Sequence, residues 1–388
     1  MTTTEHSGTQ KSEATDIRFM RGALALAKRG LGNVWPNPAV GCVIVNNGHV
    51  VGRGWTQPGG RPHAESEALK RAGSAARGAT AYVTLEPCAH FGKTPPCADA
   101  LLSAGIKRAV IAAIDPDPRT AGQGIQKLKE GGIDVSEGVL ENDAKKINAG
   151  FFNLIKNNKP IFALKVAASS DGCIAAGPGK KTDITGSIAK NMGHMLRASH
   201  DMVLFGIGTL LVDDPQYTCR LPGMENQTPI RALLDSNLRI PLDARILQTL
   251  DKNELWIFCS PNADMKKQSK LEDLGVKVIT VEKLDANARP DLGWIASYLG
   301  KNGISRVLVE AGSNLNQAFM DAKMVDCIHW FASPIKIGQE QEDGAILAFS
   351  ESALAKDVLN GNIQGFQMTD RRTCGEDAYM VFEKNEKG

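Results

Sequence analysis

Helix-type and strand-type segments alternate along residues 17–156, and this alternation limits the chain to an α/β fold more than any other feature. Strand-type runs occupy residues 40–45, 50–55, 79–85, 108–114 and 133–139. Helix-type segments occupy residues 17–29, 63–76, 97–104, 124–130 and 142–156. Asn46-Asn47-Gly48 marks a hairpin between the first two strands, and helices separate the others as in βαβ units. The pattern predicts a three-layer α/β domain over residues 16–157.

A polar break, Asn157-Asn158-Lys159-Pro160, ends this first run and predicts a domain boundary. A second α/β domain is predicted over residues 158–388. Its strands are expected at 161–168, 202–205, 230–234, 255–259, 276–281 and 306–309, and its helices at 187–198, 292–301 and 315–322. Two β-type segments, 328–337 and 378–383, follow. Residues 1–15 are polar, and we expect a disordered tail there.

Charge and composition exclude several classes of protein. Among 388 residues, 45 Lys and Arg balance 43 Asp and Glu, and no run of five like charges occurs, which disfavours nucleic-acid binding. No apolar stretch reaches the roughly 18 residues of a membrane-spanning helix. The N-terminus lacks the apolar core of a secretory signal, and eight cysteines are too few for a disulfide scaffold. A cytoplasmic enzyme without a membrane partner is expected.

A small set of metal-ligand residues carries the strongest chemical signal. His63, Cys88 and Cys97 offer one imidazole and two thiolates, each at the edge of a predicted element. This set suits Zn²⁺ with one coordination position left open for water. Glu65, at the start of a predicted helix, is placed to take a proton from that water and give it to a leaving nitrogen. The sequence therefore predicts a zinc site with Glu65 as the proton shuttle.

These residues resemble the His-x-Glu and Pro-Cys signature of the cytidine-deaminase superfamily. Eight residues separate the two cysteines, where Pro-Cys-x-x-Cys is the common form. That spacing, the insert Gly92-Lys93-Thr94-Pro95-Pro96, and the segments 36–41 and 84–88 are similar to one branch, the riboflavin-biosynthesis deaminases. The likeness continues into the second half. Beyond its first residues, the chain resembles the bacterial bifunctional deaminase–reductases of riboflavin biosynthesis.

The resemblance implies a phosphoribosylamino-diaminopyrimidinone as the small-molecule substrate, with water replacing the ring 2-amino group. Asn37 would bind the pyrimidine. His90 and Lys93 would contact the ribose phosphate, for which a lysine ammonium is well suited. Asp115 and Asp117 would bind the ribose hydroxyls, although Asp-Pro pairs also occur in ordinary turns.

The second half lacks a Gly-x-Gly-x-x-Gly turn in its first βαβ unit, which disfavours an ordinary Rossmann domain. Glycines nevertheless follow the predicted strands at residues 204–209 and 309–315, where helix N-termini could receive a phosphate. Segments 164–172, 213–215, 234–236 and 309–312 are similar to those of the reductase half of the same family. That likeness implies a dihydrofolate-reductase-like α/β domain that uses NADPH.

The same resemblance implies site residues in this half and hydride transfer to C1′ of the opened ribosylamine. The NADPH site would comprise Ala167, Asp183, Thr209, Asp213, Ser236, Gly312, Ser313, Asn314, Leu315, Asn316, Gln317 and Ala318. The substrate site would comprise Lys181, Arg197, Tyr217, Arg220 and Glu310. Arg197 and Arg220 suit a phosphate, although either could be a surface residue. Lys165 could polarise the reacting group, or it could extend along the surface to solvent.

Residues 180–185 depart from the family pattern. Lys181 and Asp183 occupy positions that usually carry Ser and Trp. A carboxylate makes different contacts from an indole and repels a phosphate. The resemblance therefore leaves the strength of NADPH binding open.

Two alternatives compete with the bifunctional enzyme. One is a zinc deaminase of nucleic acids with a C-terminal binding module. The other is a structural zinc site, which normally requires a fourth ligand, and Cys42 is the nearest remaining cysteine in sequence. The family resemblance further implies a homo-oligomer.

Overall fold

The computed structural model describes residues 4–91, 95–338, 344–350 and 352–385. The chain divides into two compact units, Met1–Asn158 and Lys159–Gly388. The division falls within the polar break at residues 157–160. No helix in the described ranges is long and apolar enough to cross a membrane.

The first unit is an α/β sandwich built on a mixed sheet. Its helices are α1 (Thr4–Ala27), α2 (Ala64–Ala72), α3 (Cys97–Ser103), α4 (Gln123–Glu130), α5 (Glu141–Ile147) and α6 (Ala149–Asn157). Its strands are β1 (Gly41–Asn46), β2 (His49–Trp55), β3 (Thr80–Val83), β4 (Arg108–Ile111) and β5 (Asp134–Glu137). The described strands are ordered β2-β1-β3-β4-β5, in which β1 is antiparallel to β2 and β3. The pairs β3–β4 and β4–β5 are parallel.

Close packing of α2 against β2 fixes the position of the predicted metal ligand His63. A Cβ atom at Gly54 of β2 would lie 2.1 Å from the carbonyl oxygen of Ala64, so only glycine allows this approach. Ala64 and Ala68 of α2 are fully buried in the core. The first turn of α2, which includes Glu65, is therefore held firmly on the sheet.

Two segments of the first unit differ from prediction. Helix α1 begins at Thr4, so residues 4–15, predicted as a disordered tail, are helical in the structure. The single helix predicted at 142–156 is two helices, because the backbone at Asn148 leaves the helical conformation. The Asn148 side chain instead bonds both the N–H and the C=O group of Ala39, at 2.8 and 3.0 Å.

The second unit is built on a large, mostly parallel sheet. Its strands are β6 (Ile161–Ala168), β7 (Cys173–Ala175), β8 (Met202–Gly206), β9 (Ile230–Leu234), β10 (Leu255–Cys259), β11 (Lys277–Thr280), β12 (Arg306–Val309), β13 (Val325–Ala332), β14 (Ile346–Leu347), β15 (Phe366–Cys374) and β16 (Asp377–Lys384). Its helices are α7 (Ser187–Ala198), α8 (Ile207–Asp213), α9 (Met265–Asp273), α10 (Leu292–Lys301), α11 (Ser313–Asp321) and α12 (Ser352–Leu359). The described strands of the main sheet are ordered β11-β10-β9-β8-β12-β6-β13-β16-β15, and β7 pairs separately with β14.

The register of this sheet brings two predicted site residues together. Val309 of β12 lies opposite Leu164 of β6 in a parallel pair. The next residues along the two strands, Glu310 and Lys165, therefore lie at the same level. Val309 also lies opposite Leu204 of β8, so the glycine-containing turns after β8 and β12 are neighbours at the carboxyl edge of the sheet. Parallel sheets place ligand sites at this edge.

Candidate functional site

The three predicted metal ligands come together in the first unit. His63 Nδ1, Cys88 Sγ and Cys97 Sγ all lie within 4.8 Å of one another. His63 directly precedes α2, and Cys97 is the first residue of α3. Cys42, the possible fourth ligand, is fully buried within β1, outside this set of three. One nitrogen and two sulfur donors that leave a position open fit a catalytic zinc ion better than a closed structural site.

The surroundings of Cys88 favour its thiolate form. Its Sγ lies 3.3 Å from the backbone nitrogen of Cys97 and 3.7 Å from Nδ1 of His63. A hydrogen bond from the Cys97 thiol, helped by His63, lowers the pKa of Cys88 to about 4, although burial opposes this. A thiolate is the form in which cysteine binds a metal.

Glu65 lies beside these ligands, in the first turn of α2. Its side chain is 3% exposed and lies within hydrogen-bonding reach of the Cys97 thiol. Burial raises the pKa of Glu65 to about 7. A carboxyl group with a pKa near neutrality can both accept and release a proton.

Asn37 is held in place by a neighbouring glycine. Gly60 has φ +80°, and a Cβ atom there would lie 2.0 Å from Nδ2 of Asn37. Only glycine therefore leaves room for the amide in this position. The loop that carries Asn37 is anchored at Ala39 by Asn148, a contact the sequence did not indicate.

The remaining predicted contacts of this unit lie on two loops. His90 Nδ1 is 3.2 Å from Thr120 Oγ1, which joins the loop after Cys88 to the loop after β4. Asp115 and Asp117 are both buried, and burial raises the pKa of Asp115 to about 6. Asp117 accepts hydrogen bonds from the Arg119 side chain, which lowers its pKa. Lys93 lies outside the described residues.

In the second unit, Glu310 is the centre of a buried ion-pair network. Its Oε2 accepts a hydrogen bond from Nη2 of Arg197 at 2.8 Å, and its Oε1 accepts from Nε of the same guanidinium. Lys165 Nζ lies 3.5 Å from Oε2. Burial alone would raise the pKa of Glu310, but the two cations hold it at about 2. Arg197 is therefore not a surface residue, and Lys165 ends at a carboxylate instead of extending to solvent.

Tyr217 and Arg220 border the same network. The Tyr217 hydroxyl donates to the backbone carbonyl of Glu310 at 3.3 Å, and the Arg197 guanidinium lies over the Tyr217 ring. Arg220 is exposed at the surface, and partial desolvation of its guanidinium, together with the charge of Arg197, lowers its pKa. His194, which the sequence did not single out, lies 3.1 Å through Nδ1 from the carbonyl oxygen of Thr218. Arg197 and Arg220, the two residues predicted to suit a phosphate, therefore belong to one basic group around the buried carboxylate of Glu310.

Several residues predicted for NADPH lie at the carboxyl edge of the sheet. Thr209 is in α8, and a Cβ atom at Gly312 would lie 3.9 Å from its Oγ1. Ala167 lies in β6. Ser313, Asn314, Leu315 and Ala318 are partly or fully exposed in α11. The turns at Gly206 and Gly312 thus border an accessible surface.

Other predicted cofactor residues have structural contacts. Asn316 is fully buried and donates to the carbonyl oxygen of Ala348 at 3.1 Å, while its Oδ1 atom has no hydrogen-bond partner among the described residues. Gln317 donates to Asp321 at 2.8 Å. The carbonyl oxygen of Ser236 accepts from the backbone and the hydroxyl of Ser260. The side chain of Asn316 therefore faces the core, away from solvent.

Residues 180–185, the segment that departs from the family pattern, lie near α8. Asp183 is highly exposed and pairs with Lys190 at 3.0 Å. Burial raises the pKa of Asp213, while nearby Lys181 lowers it and Asp183 raises it. Lys181, Asp183 and Asp213 thus form one charged group beside the carboxyl edge of the sheet.

Comparison with protein families separates the two units in the same way. Residues 13–113 match the family described as the cytidine and deoxycytidylate deaminase zinc-binding region. Residues 160–353 match the RibD C-terminal domain. A reductase domain thus occupies the place of the nucleic-acid-binding module considered above.

Relatives match across both units. The riboflavin biosynthesis protein RibD of Bacillus amyloliquefaciens is 42% identical over 82% of this chain and 85% of its own length. The RibD structure of Acinetobacter baumannii is 36% identical, covers 96% of this chain and all of its own, and superposes with a TM-score of 0.82. A Thermotoga maritima diaminohydroxyphosphoribosylaminopyrimidine deaminase/5-amino-6-(5-phosphoribosylamino)uracil reductase is 30% identical with a TM-score of 0.80, covering 96% of this chain and all of its own.

Proposed function

This chain belongs to the RibD family of bifunctional riboflavin-biosynthesis deaminase–reductases, and we propose how its residues divide the two reactions. The substrate of the first is 2,5-diamino-6-(5-phosphoribosylamino)pyrimidin-4(3H)-one, which loses its ring 2-amino group as ammonia. The product is then reduced, so that ribosyl becomes ribityl and the phosphate is retained. The meeting of His63, Cys88 and Cys97 beside buried Glu65 carries the proposal.

In the deaminase unit, His63, Cys88 and Cys97 would hold the metal. Zn²⁺ held there would supply a water molecule acidic enough to lose a proton near neutral pH and so to act as the nucleophile toward the ring carbon. A Glu65 carboxylate oxygen accepts the proton of that water and passes it to the leaving 2-amino nitrogen. A pKa of about 7 suits both halves of this transfer.

Other residues of this unit would orient the substrate. Asn37 has both a donor and an acceptor for the pyrimidine edge. Asp115 and Asp117 would accept hydrogen bonds from the ribose hydroxyls, and His90 and Lys93 would contact the phosphate. Because Thr120 joins His90 to the Asp115–Asp117 loop, the two groups of contacts would hold the sugar phosphate together.

In the reductase unit, NADPH would supply the hydride for C1′ of the substrate in its open imine form. Ala167, Asp183, Thr209, Asp213, Ser236, Gly312 and residues 313–318 would hold the cofactor, and Asn316, whose side chain faces the core, could contribute only its backbone. Exposed Arg220 would bind the substrate phosphate through its guanidinium fork. Arg197 has two of its nitrogens bonded to Glu310, so we assign it mainly to fixing that carboxylate.

Lys165 and Glu310 would act on the reacting group. The ammonium of Lys165 can donate to the imine nitrogen as the hydride arrives, since protonation of that nitrogen completes the reduction. Glu310, whose pKa is about 2, remains ionised and holds the Lys165 ammonium in place. Lys181 and Tyr217 would complete the substrate site.

The proposal is tested with the natural diaminopyrimidinone, with and without NADPH, while ammonia release and NADPH oxidation are both followed. We expect ammonia in both cases and NADPH oxidation only after deamination.

Replacing NADPH by NADH tests the cofactor assignment, and light scattering of the purified protein tests the expected homo-oligomer. A gel-shift assay at low salt should show no RNA binding. Ammonia release without NADPH oxidation would contradict the reductase assignment.

A further inference from the structure

Glu86 is a buried carboxylate that the proposed mechanism does not use. It lies two residues before the metal ligand Cys88 and is 3% exposed. We propose that Glu86 is a positioning residue for deamination, which holds the loop bearing Asp115 and Asp117 against the segment bearing Cys88. This inference rests on the proposed role of that loop in binding the substrate ribose.

Glu86 binds both ends of the loop with its two oxygens. Oε2 accepts from the backbone nitrogens of Asp115 and Gly122, at 3.2 and 3.0 Å. Oε1 accepts from those of Gly124 and Ile125, at 2.9 and 3.1 Å. Four N–H donors therefore surround one buried carboxylate, as in the anion sites that backbone groups build. The contacts close residues 115–122 into a loop whose start and end meet at one side chain.

Backbone packing joins the same loop to the Cys88 segment. A Cβ atom at Gly124 would lie 2.0 Å from the carbonyl oxygen of Pro87, so glycine is required for this approach. The backbone nitrogen of Glu86 also donates to the carbonyl oxygen of Ala113 at 2.9 Å. Glu86 is thus bonded to the chain immediately before the loop and to the loop itself.

Polar contacts of the loop connect the residues that we propose to bind the substrate. Asp115 Oδ1 accepts from the backbone nitrogen of Asp117 at 2.9 Å. Fully buried Thr120 contacts His90 at 3.2 Å. A shift of the loop would therefore move Asp115, Asp117 and His90 together.

The variant Glu86→Gln separates positioning from metal binding. A glutamine keeps the size of the side chain but replaces one acceptor oxygen by an NH₂ group, which faces two N–H donors and cannot accept from them. At least two of the four hydrogen bonds are lost, and the loop is released. Cys88 keeps its own contacts with Cys97 and His63. Zinc binding should therefore survive while substrate binding weakens.

The measurements are zinc per chain, kcat and KM for ammonia release, and reductase activity with the deaminated substrate. For Glu86→Gln we expect a rise of about tenfold or more in the deaminase KM, a smaller change in kcat, full zinc content and unchanged reductase activity. Glu137→Gln is the matched control, because it removes an exposed carboxylate paired with Lys129 in the same unit. It should leave all four quantities unchanged.

An unchanged deaminase KM in Glu86→Gln with full zinc would overturn the inference. If Glu86→Gln does not hold zinc, Glu86→Asp is measured, because it keeps the carboxylate but shortens its reach. A raised KM with full zinc in that variant supports positioning, and a wild-type KM overturns it. Failure of the proposed function itself would look different, because the wild-type protein would then release no ammonia.

Discussion

The Arg197 guanidinium and the Glu310 carboxylate form a two-point ion pair inside the second unit, although they lie 113 positions apart in sequence. One partner comes from α7, and the other follows directly after β12. Lys165, from the neighbouring strand β6, approaches the same carboxylate. Because one buried anion here faces two cations, the network depends on Glu310 more than on either cation.

We predict that Glu310→Gln destabilises the second unit by roughly 3 kcal/mol, because it leaves two largely buried cations without their anion. Urea unfolding of the full chain, followed by tryptophan fluorescence and circular dichroism, measures the loss. Asp370→Asn is the control, since it breaks an exposed pair with Arg372 in the same unit and should cost less than about 1 kcal/mol. Equal effects of the two substitutions would contradict a buried network.

The pH dependence of stability should report the same carboxylate. The pKa of Glu310 is about 2 in the folded protein, below the roughly 4.3 of an unfolded glutamate. A lowered pKa stabilises the fold above the unfolded value, and that stabilisation disappears as pH falls toward the folded value. We expect the difference in unfolding free energy between wild type and Glu310→Gln to be constant above about pH 5 and to shrink at lower pH. Urea titrations at several pH values down to about pH 3 would check this, and a difference that grew with acidity would refute it.

Gly60 should matter to deamination through Asn37. In Gly60→Ala, the new methyl group meets the Asn37 amide, and we predict a deaminase KM raised about tenfold. Gly59→Ala is a close control, because Gly59 also has positive φ, at +76°, but its Cβ would meet nothing within 4 Å. Both variants should lose about 1 kcal/mol of stability from the left-handed backbone. Similar KM values in the two variants would show that Asn37 does not bind the substrate.

Because Asp183 departs from the family pattern, we expect its substitution to raise the affinity for NADPH. Asp183→Trp introduces the aromatic residue that the family resemblance implies at this position, and it removes a carboxylate. We expect the KM for NADPH to fall about fivefold, with kcat nearly unchanged. Asp183→Asn removes only the charge, so its effect separates repulsion from aromatic contact. A KM for NADPH that is unchanged in both variants would place residue 183 away from the cofactor.

The sequence indicated that His63, Cys88 and Cys97 belong together, as the structure shows, because they lie at element boundaries that short patterns mark. His63 precedes a helix after Pro62, and Cys97 begins one after Pro96. The alternation of strand and helix also predicted the α/β class and most strands of both sheets. Helix 187–198 and strand 306–309 were predicted with the bounds that the structure shows.

Contacts that depend on tertiary register were not predictable from local pattern. The pairing of Lys165 with Glu310 follows from the alignment of β6 with β12, which no short motif encodes. Helix α8 was absent from the predicted helices because glycines, which are poor helix formers, stand at Gly206 and Gly208 around its start. Strand β15 was missed because its largely exposed, polar sequence lacks the apolar alternation of a half-buried strand. Glu86 was quoted only as part of a motif, since its four partners lie at residues 115–125.

The most direct test of the account is the substitution Glu65→Gln, assayed for zinc content and for both activities in the same preparation. We predict full zinc content, a loss of ammonia release of at least about a hundredfold, and wild-type reduction of the deaminated substrate. Ammonia release at the wild-type rate, with zinc bound, would contradict the assignment of Glu65 as the group that moves the proton.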